Sequence, residues 1–441
     1  MTRALPSAPL RLVPRRALKA WGEELWLDST RPEFPAGVAG GGTLAQALRR
    51  RPQLLGSWSR RLFGDELPVF AKFIRTDFPP LAHIGFKSLV RPQEFLGWIC
   101  REHDLLSALR RSLRVPDERA FAAFEKLYEP WAAGRALAGW QADPARDQAF
   151  VRDLGRLSRL DPADLAGLCE DLRRNRGRVV GVLNQADLRQ EAGNFLMIKA
   201  GLIHALFGLS LQFHPLDPTQ EALQEFILAS RRGSPRPMRH LRLARLLRRG
   251  LEAPKSEAWL PLGRDSGASL AEVQQSSDTT FSVADFFTPF LWDKGARFRK
   301  GHPATGLNEP SLRRMIKALD FSVTPLSTIR CRPQALDPGP QARRSRLSRL
   351  LDRPALWPFF TVMRLDLAGT PRAAARWAAA EAPSFEQLVV LSGRVRLEHG
   401  GRTWRLGPRA PAFVPAGLAG GYALSSDRAA SVLLIGVPGP R

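Results

Sequence analysis

Up to about residue 90, apolar residues fall in short runs broken by turn residues: "ELWL", "GVAGGGTL", "LPVFAKFI" and "PLAHIGF". Such runs predict short strands joined by loops. From Arg91 the spacing changes, with apolar positions three and four apart in "PQEFLGWICREHDLLSALRRSL" and "DERAFAAFEKLYEPWAAGRALAGW". Helix-starting "VPDE" and "LDPAD" punctuate them, so residues 91–190 are predicted as a helical domain. Strand pattern returns at "NFLMIKAGLIHALFGLSLQFHP" and continues through "SEAWLPL" and "ASLAEVQQSSDTTFSVADFF". A helix is predicted over 308–321, and the Pro- and Arg-rich "DPGPQARRSRLSRLLDRPALWP" reads as an exposed linker. The last hundred residues alternate short strands with turns, from "FFTVMRLDLAG" to "ASVLLIGVPG", the spacing of a β-sandwich or barrel.

A chain of 441 residues exceeds what one core organises and predicts two or three domains. No run approaches 18 apolar residues and the N-terminal "MTRALPSAPLRLVPRRALKA" lacks the apolar centre of a secretory signal, so the expectation is a cytoplasmic protein without a membrane partner. Cys100, Cys169 and Cys331 are widely spaced and form no CxxC pair, which indicates neither a disulfide framework nor a thiolate metal site.

The net charge of +24 raises a polyanion reading. Of the 66 basic residues only nine are Lys, and the arginines run along the whole chain, as a coding bias toward Arg would produce. The one concentrated block, residues 231–250, is read as a solvated face rather than a polyanion site, and no nucleic-acid partner is expected.

Candidate chemistry lies between residues 204 and 257, where His204, Gln212, His214 and Glu257 all neighbour predicted strands. Imidazole, carboxylate and amide are ligand types for zinc or a similar divalent ion. In "LSLQFHPLD", Ser210, Gln212 and His214 share one face of a strand because side chains alternate. Two readings stand at this level: a metal edge, or a core histidine beside a half-exposed strand face.

"AGLIHAL", "LSLQFHP", "KSEAW" and "LAEVQQSSDTTF" resemble four signatures of the type I mannose-6-phosphate isomerases. These are zinc-dependent cupin enzymes that interconvert mannose 6-phosphate and fructose 6-phosphate. "WGEELWLDSTRP", "GGTLAQAL" and "LPVFAKFI" look like the family's N-terminal strands, and "FEQLVVLSGRVRL" with "AFVPAGL" looks like its C-terminal cupin domain. The resemblance implies a mainly β protein of cupin-type (jelly-roll) sandwiches with an inserted α-helical domain. It divides into N-terminal strands of the catalytic cupin (1–90), a helical domain (91–190), the catalytic cupin (191–325), a linker (326–355) and a C-terminal cupin-like domain (356–441).

Carried over residue by residue, the resemblance implies that His204, Gln212, His214 and Glu257 hold Zn2+. Lys255 would polarise the substrate oxygen, and Glu272 would be the base or support the site, with Asp278 nearby. In the family the Gln-x-His-Pro strand and the Lys-Thr-Glu segment precede the His-Ala loop, whereas here both follow it. At the usual early place stands "PPLAHIGF", so either His83 or the Gln212 strand supplies the metal site. Ser282 stands where the family has an Arg that contacts substrate, and Arg297, Arg299 and Lys300 are the candidates to bind the phosphate instead. The expected partner is a hexose 6-phosphate. Two alternatives remain: a catalytically reduced cupin that senses a sugar phosphate, and an Arg-rich polyanion binder.

Overall fold

The structure is a computed structural model. It describes residues 8–19, 22–31, 34–75, 81–114, 141–199, 201–206, 210–213, 257–262, 270–275, 281–285, 316–340, 342–350, 360–370, 374–378, 384–418 and 421–437, together with residue 313 and scattered positions from 123 to 135. Among these the chain is mainly β and forms antiparallel sheets.

The sheet that organises the molecule has seven strands, in the order β14 (Arg330–Cys331), β8 (Phe195–Ile198), β11 (Glu257–Pro261), β12 (Leu270–Gln275), β5 (Val69–Arg75), β3 (Gly22–Trp26) and β2 (Arg15–Lys19). Both of its faces are covered. Val69, Ala71 and Phe73 of β5, Ala271 and Val273 of β12, Ala258 and Leu260 of β11, and Phe195 and Met197 of β8 share one core with Val389, Phe413 and Leu433. The alternate residues point the other way by the two-residue period of a strand. That explains why "FLMI" reads as a continuous apolar run, and "VFAKFI" as one broken only at Lys72, rather than as alternating patterns.

Val389, Phe413 and Leu433 belong to an eight-stranded sheet, ordered β15 (Gln334–Leu336), β16 (Ser345–Arg349), β17 (Thr361–Ala368), β24 (Ala429–Gly436), β19 (Glu386–Ser392), β22 (Ala412–Val414), β1 (Leu10–Val13) and β4 (Gly37–Val38). Its other face supplies Leu388, Val390 and Val432 to a further core with Val395, Leu397 and Leu424. Those come from a four-stranded sheet of β18 (Ala375–Ala378), β23 (Ala423–Ser426), β20 (Val395–His399) and β21 (Arg402–Leu406). Two placements differ from the sequence reading. Residues 326–355, expected as linker, carry β14, β15 and β16, because Leu347 and Ser348 are buried between neighbouring strands despite the Arg-rich sequence. Strand β1 leaves the N-terminal region to pair with β22, Leu10 opposite Phe413.

On the other side of the seven-stranded sheet lies a five-stranded one, in the order β13 (Phe281–Asp285), β10 (Ser210–Phe213), β9 (His204–Leu206), β6 (Leu81–Phe86) and β7 (Leu183–Asp187). Between β6 and β7 the chain runs through α3 (Pro92–Ser112), α4 (Pro144–Gly155) and α5 (Pro162–Gly181), which follow α1 (Leu44–Arg50) and α2 (Gly56–Phe63). "LDPAD" starts α5 as its chemistry requires: Pro162 opens the helix and Asp161 Oδ1 accepts from the N–H groups of Ala163 and Asp164 at 2.8 and 2.9 Å. Phe86 of β6 meets Phe95 of α3 edge-on at 5.4 Å, within a core that runs from the sheet through the helices. Within those helices Arg176 and Glu102 are both fully buried and paired at 2.6 Å. The "VPDE" signal and half of the helix predicted over 308–321 fall outside the described residues.

Asp28, just past β3, is buried and accepts the Ala71 N–H at 2.7 Å. Burial pushes its carboxyl up to about 7 against the opposing pull of that N–H. The folded value lies above the unfolded one of about 3.9, so the native state takes up a proton, and stability falls as pH rises from about 4 to about 7. Asp28→Asn keeps the acceptor without the charge. It is expected to flatten that fall, gaining up to roughly 4 kcal/mol over wild type between pH 4 and 8, as read by urea unfolding at the two pH values. Identical pH dependence in both proteins would refute it.

Candidate functional site

Where the seven- and five-stranded sheets face each other, the apolar pattern is interrupted by buried polar side chains. Strand register places Trp26, Lys72, Glu272 and Trp259 side by side across β3, β5, β12 and β11. The adjacent rung is Phe70, Gln274 and Glu257. Residues directly opposed in an antiparallel sheet point to the same face. The two rungs therefore form one polar surface turned toward the five-stranded sheet.

Lys72 Nζ lies 3.1 Å from Glu272 Oε2 and 3.4 Å from Glu24 Oε1, and 5.3 Å from the centre of the Trp26 ring. Trp26 Nε1 donates to the second oxygen of Glu24 at 2.8 Å. Burial alone would lower the Lys72 ammonium, but the charges of Glu24, Glu272 and Glu257 outweigh it and hold it above the ordinary lysine value. The Gln274 amide, oriented by its neighbours, donates to Glu272 Oε1 at 2.8 Å and to Glu257 Oε2 at 3.2 Å. Trp259 Nε1 donates to Glu257 Oε1 at 3.1 Å. A continuous polar chain thus runs from Lys72 through Glu272 and Gln274 to Glu257.

His204, on β9 of the facing sheet, completes the chain: its Nε2 is 3.2 Å from Glu257 Oε1. Its Nδ1 is 3.0 Å from the Leu202 carbonyl, which can only accept, so Nδ1 carries the hydrogen. This arrangement turns Nε2 toward the carboxylate and is the usual orientation of an imidazole that binds metal through Nε2. Two donor atoms each about 2.0–2.1 Å from one tetrahedral ion stand roughly 3.4 Å apart, close to the spacing seen here. Gln212 lies directly opposite His204 on β10 and shares its face. Although Gln212 and Glu257 both follow His204 in the sequence, β10 pairs with β9 and β11 pairs with β8, so the altered chain order still brings them to His204. His204 and Glu257 are thus spaced as two ligands of one ion would be, and register puts Gln212 on the same face as His204. Among the described residues no group of three or more His, Cys, Asp or Glu side chains is placed to hold a metal.

No family model matches the sequence, and no curated protein matches it. Among solved structures, the chain is similar to a point mutant of phosphomannose isomerase from Salmonella typhimurium. The identity is 13% and the TM-score 0.46, covering 98% of this chain and 100% of that one. It is also similar to a zinc-bound mannose 6-phosphate isomerase at 12% identity and TM-score 0.45, with the same coverage. A likeness of that size assigns no residue a role.

The remaining sequence candidates divide by place. His83 pairs with Ala205 while its neighbour Ile84 pairs with His204, which puts His83 on the face of β6 turned away from His204. It is buried there, its Nδ1 has no hydrogen-bond partner among the described residues, and burial together with the charge of Lys87 lowers its imidazole to about 4. Two residues on, Gly85 adopts φ +65°, and a Cβ there would meet Leu202 Cδ1 at 2.9 Å and Thr324 Cβ at 3.1 Å. A side chain at residue 85 would therefore be strained in backbone and crowded against Thr324. Ser282 lies on β13 opposite Gln212. His214, Lys255, Asp278, Arg297, Arg299, Lys300 and the basic block 231–250 lie outside the described residues.

Sequence reasoning missed Lys72, Glu24, Gln274 and Trp259. One signal was present: a single Lys inside the apolar run "VFAKFI" has to be buried with partners or not be there at all. Lys72→Met removes the ammonium and leaves the carboxylates around it. We expect a loss of roughly 3–5 kcal/mol at pH 8 and a smaller loss at pH 5, where protonation can neutralise them. Urea titrations of the variant at the two pH values measure this; an equal loss would mean that Lys72 contributes packing and not charge.

Proposed function

We propose that this chain is a zinc-dependent aldose-ketose isomerase that interconverts mannose 6-phosphate and fructose 6-phosphate. The observation that carries the reading is the approach of His204 Nε2 to Glu257 Oε1 at 3.2 Å across two sheets, with the Leu202 carbonyl fixing the imidazole. The motif resemblance supports it independently of that geometry. On this reading the paired seven- and five-stranded sheets are the catalytic cupin, the helices between β6 and β7 are an inserted domain, and the eight- and four-stranded sheets include the C-terminal cupin-like domain. The enzyme is cytoplasmic.

His204, Gln212 and Glu257, with His214, hold the zinc, and the face-sharing of Gln212 with His204 favours this set over His83. Bound zinc supplies a Lewis acid for the sugar oxygens. The chain's own part is proton transfer and binding. Glu272 takes the proton from the carbon next to the carbonyl, giving an enediolate, and returns it to the neighbouring carbon while the hydroxyl proton passes from one oxygen to the other. The Lys72 ammonium at one oxygen and the Gln274 amide at the other hold the Glu272 carboxyl group in place. Lys255 polarises the substrate oxygen, and Arg297, Arg299 and Lys300 bind the phosphate dianion. Ser282, in place of the family's Arg, favours a second reading in which the same site binds the sugar phosphate without turning it over.

The purified protein is expected to carry about one zinc per chain and to convert mannose 6-phosphate in a coupled assay that a chelator abolishes. His204→Ala is expected to remove most of the zinc in elemental analysis. His399→Ala is expected to leave it, since His399 is tied to the Gly421 carbonyl at 2.7 Å in the C-terminal sheet. Protein that neither contains nor takes up zinc ends the metal reading; loaded protein that binds the sugar phosphate without converting it establishes the sensor instead.

A further inference from the structure

The four-stranded sheet carries a feature that the linear sequence disperses. Across its strands Arg376, Ser425, Arg396 and Arg405 stand directly opposite one another. An isolated bridge adds Arg343 beside Arg376. Directly opposed antiparallel residues share a face, and the next rung, with Leu424 and Leu397, is buried in the core. The arginines therefore line the outer face, in a row about 19 Å long at roughly 4.8 Å per strand.

Like charges opposed across strands repel, and this row is only partly neutralised. Arg396 makes a two-pronged pair with Asp427 at 2.5 and 2.7 Å and donates to Ser425 Oγ at 3.3 Å. Arg376 reaches Glu398 only at 3.8 Å. Arg343 and Arg405 have no carboxylate partner among the described residues. Residues 342–437 hold 14 Arg and no Lys against six Asp and Glu, so the surrounding field adds to the row.

We propose that this row binds the phosphate backbone of double-stranded nucleic acid without reading its sequence. A guanidinium fork suits phosphate oxygens, and the row is too long for a single phosphate. The exposed large apolar residues among those described are Val13, Leu18, Leu89 and Val323, none of them on this sheet. Among the described residues the face thus offers nothing to insert into lipid and no ring on which an unpaired base would stack. The even spread of arginines along the chain argued against such a partner; lateral strand pairing gathers four of them from positions 343 to 405.

The test is fluorescence anisotropy of the full chain with a random-sequence 20-base-pair duplex between 50 and 200 mM salt. Three phosphate contacts give a slope of log affinity on log salt of about −2.7, hence a roughly 40-fold loss over that range. R343Q/R376Q/R405Q should weaken binding at 50 mM by at least about tenfold and flatten the slope, with the thermal midpoint unchanged. R49Q/R50Q/R111Q, the same charge change elsewhere on the surface, should retain wild-type affinity. The proposal is overturned by absence of duplex binding, by equal effects of the two triple variants, by tighter binding of a single strand, or by binding to phosphatidylserine vesicles in place of the duplex.

Discussion

The Lys72 ammonium sits between Glu24 and Glu272 with almost no access to water, and charge buried in this way dictates what the surrounding sheets can be. Each carboxylate needs a donor on a neighbouring strand, so the register of β3, β5, β12 and β11 is pinned. A slip of one residue would turn Lys72, Glu272 and Glu257 into the apolar core on the opposite side of the sheet. The polar chain thereby specifies strand pairing more strictly than apolar residues would, since one Val replaces another at little loss.

That rigidity has a counterpart in the facing sheet. His204 is set by a carbonyl two residues before it, a local contact that does not depend on the rest of the fold. Glu257 is set by Trp259 on its own strand and by Gln274 on the next. The two groups meet because each is held from its own side, which is what a pre-organised site requires.

The strand and helix periodicities made most of the architecture legible. The α5 cap at Asp161 and the doubly buried strand β5 follow from local sequence. His204, Gln212 and Glu257 were legible by residue type and by resemblance. Their meeting was not, because it depends on β10 and β11 entering two different sheets out of the expected order. Lys72 was overlooked for a related reason: burial of a charge reads as an error in a strand until its partners, 48 and 200 positions away, are known. The linker reading of 337–358 failed at β16 because its arginines flank Leu347 and the buried Ser348 in a strand paired on both sides, and that charge density reads in sequence like a loop.

The pairing of β1 with β22 bears on how the chain comes to be folded. Leu10 is made about 400 residues before its strand partner Phe413. The seven-stranded sheet likewise leans on Val389 and Leu433, and Gln387 Nε2 donates to the Val69 carbonyl at 3.1 Å. Strands β1 and β5 cannot complete their core until β19, β22 and β24 have been made. Contacts this distant in sequence make folding slow and leave apolar strands uncovered during elongation. This protein is accordingly one whose yield depends on protection of the nascent chain, and loss of β22 or β24 would disturb β1 and β5, which precede them by hundreds of residues.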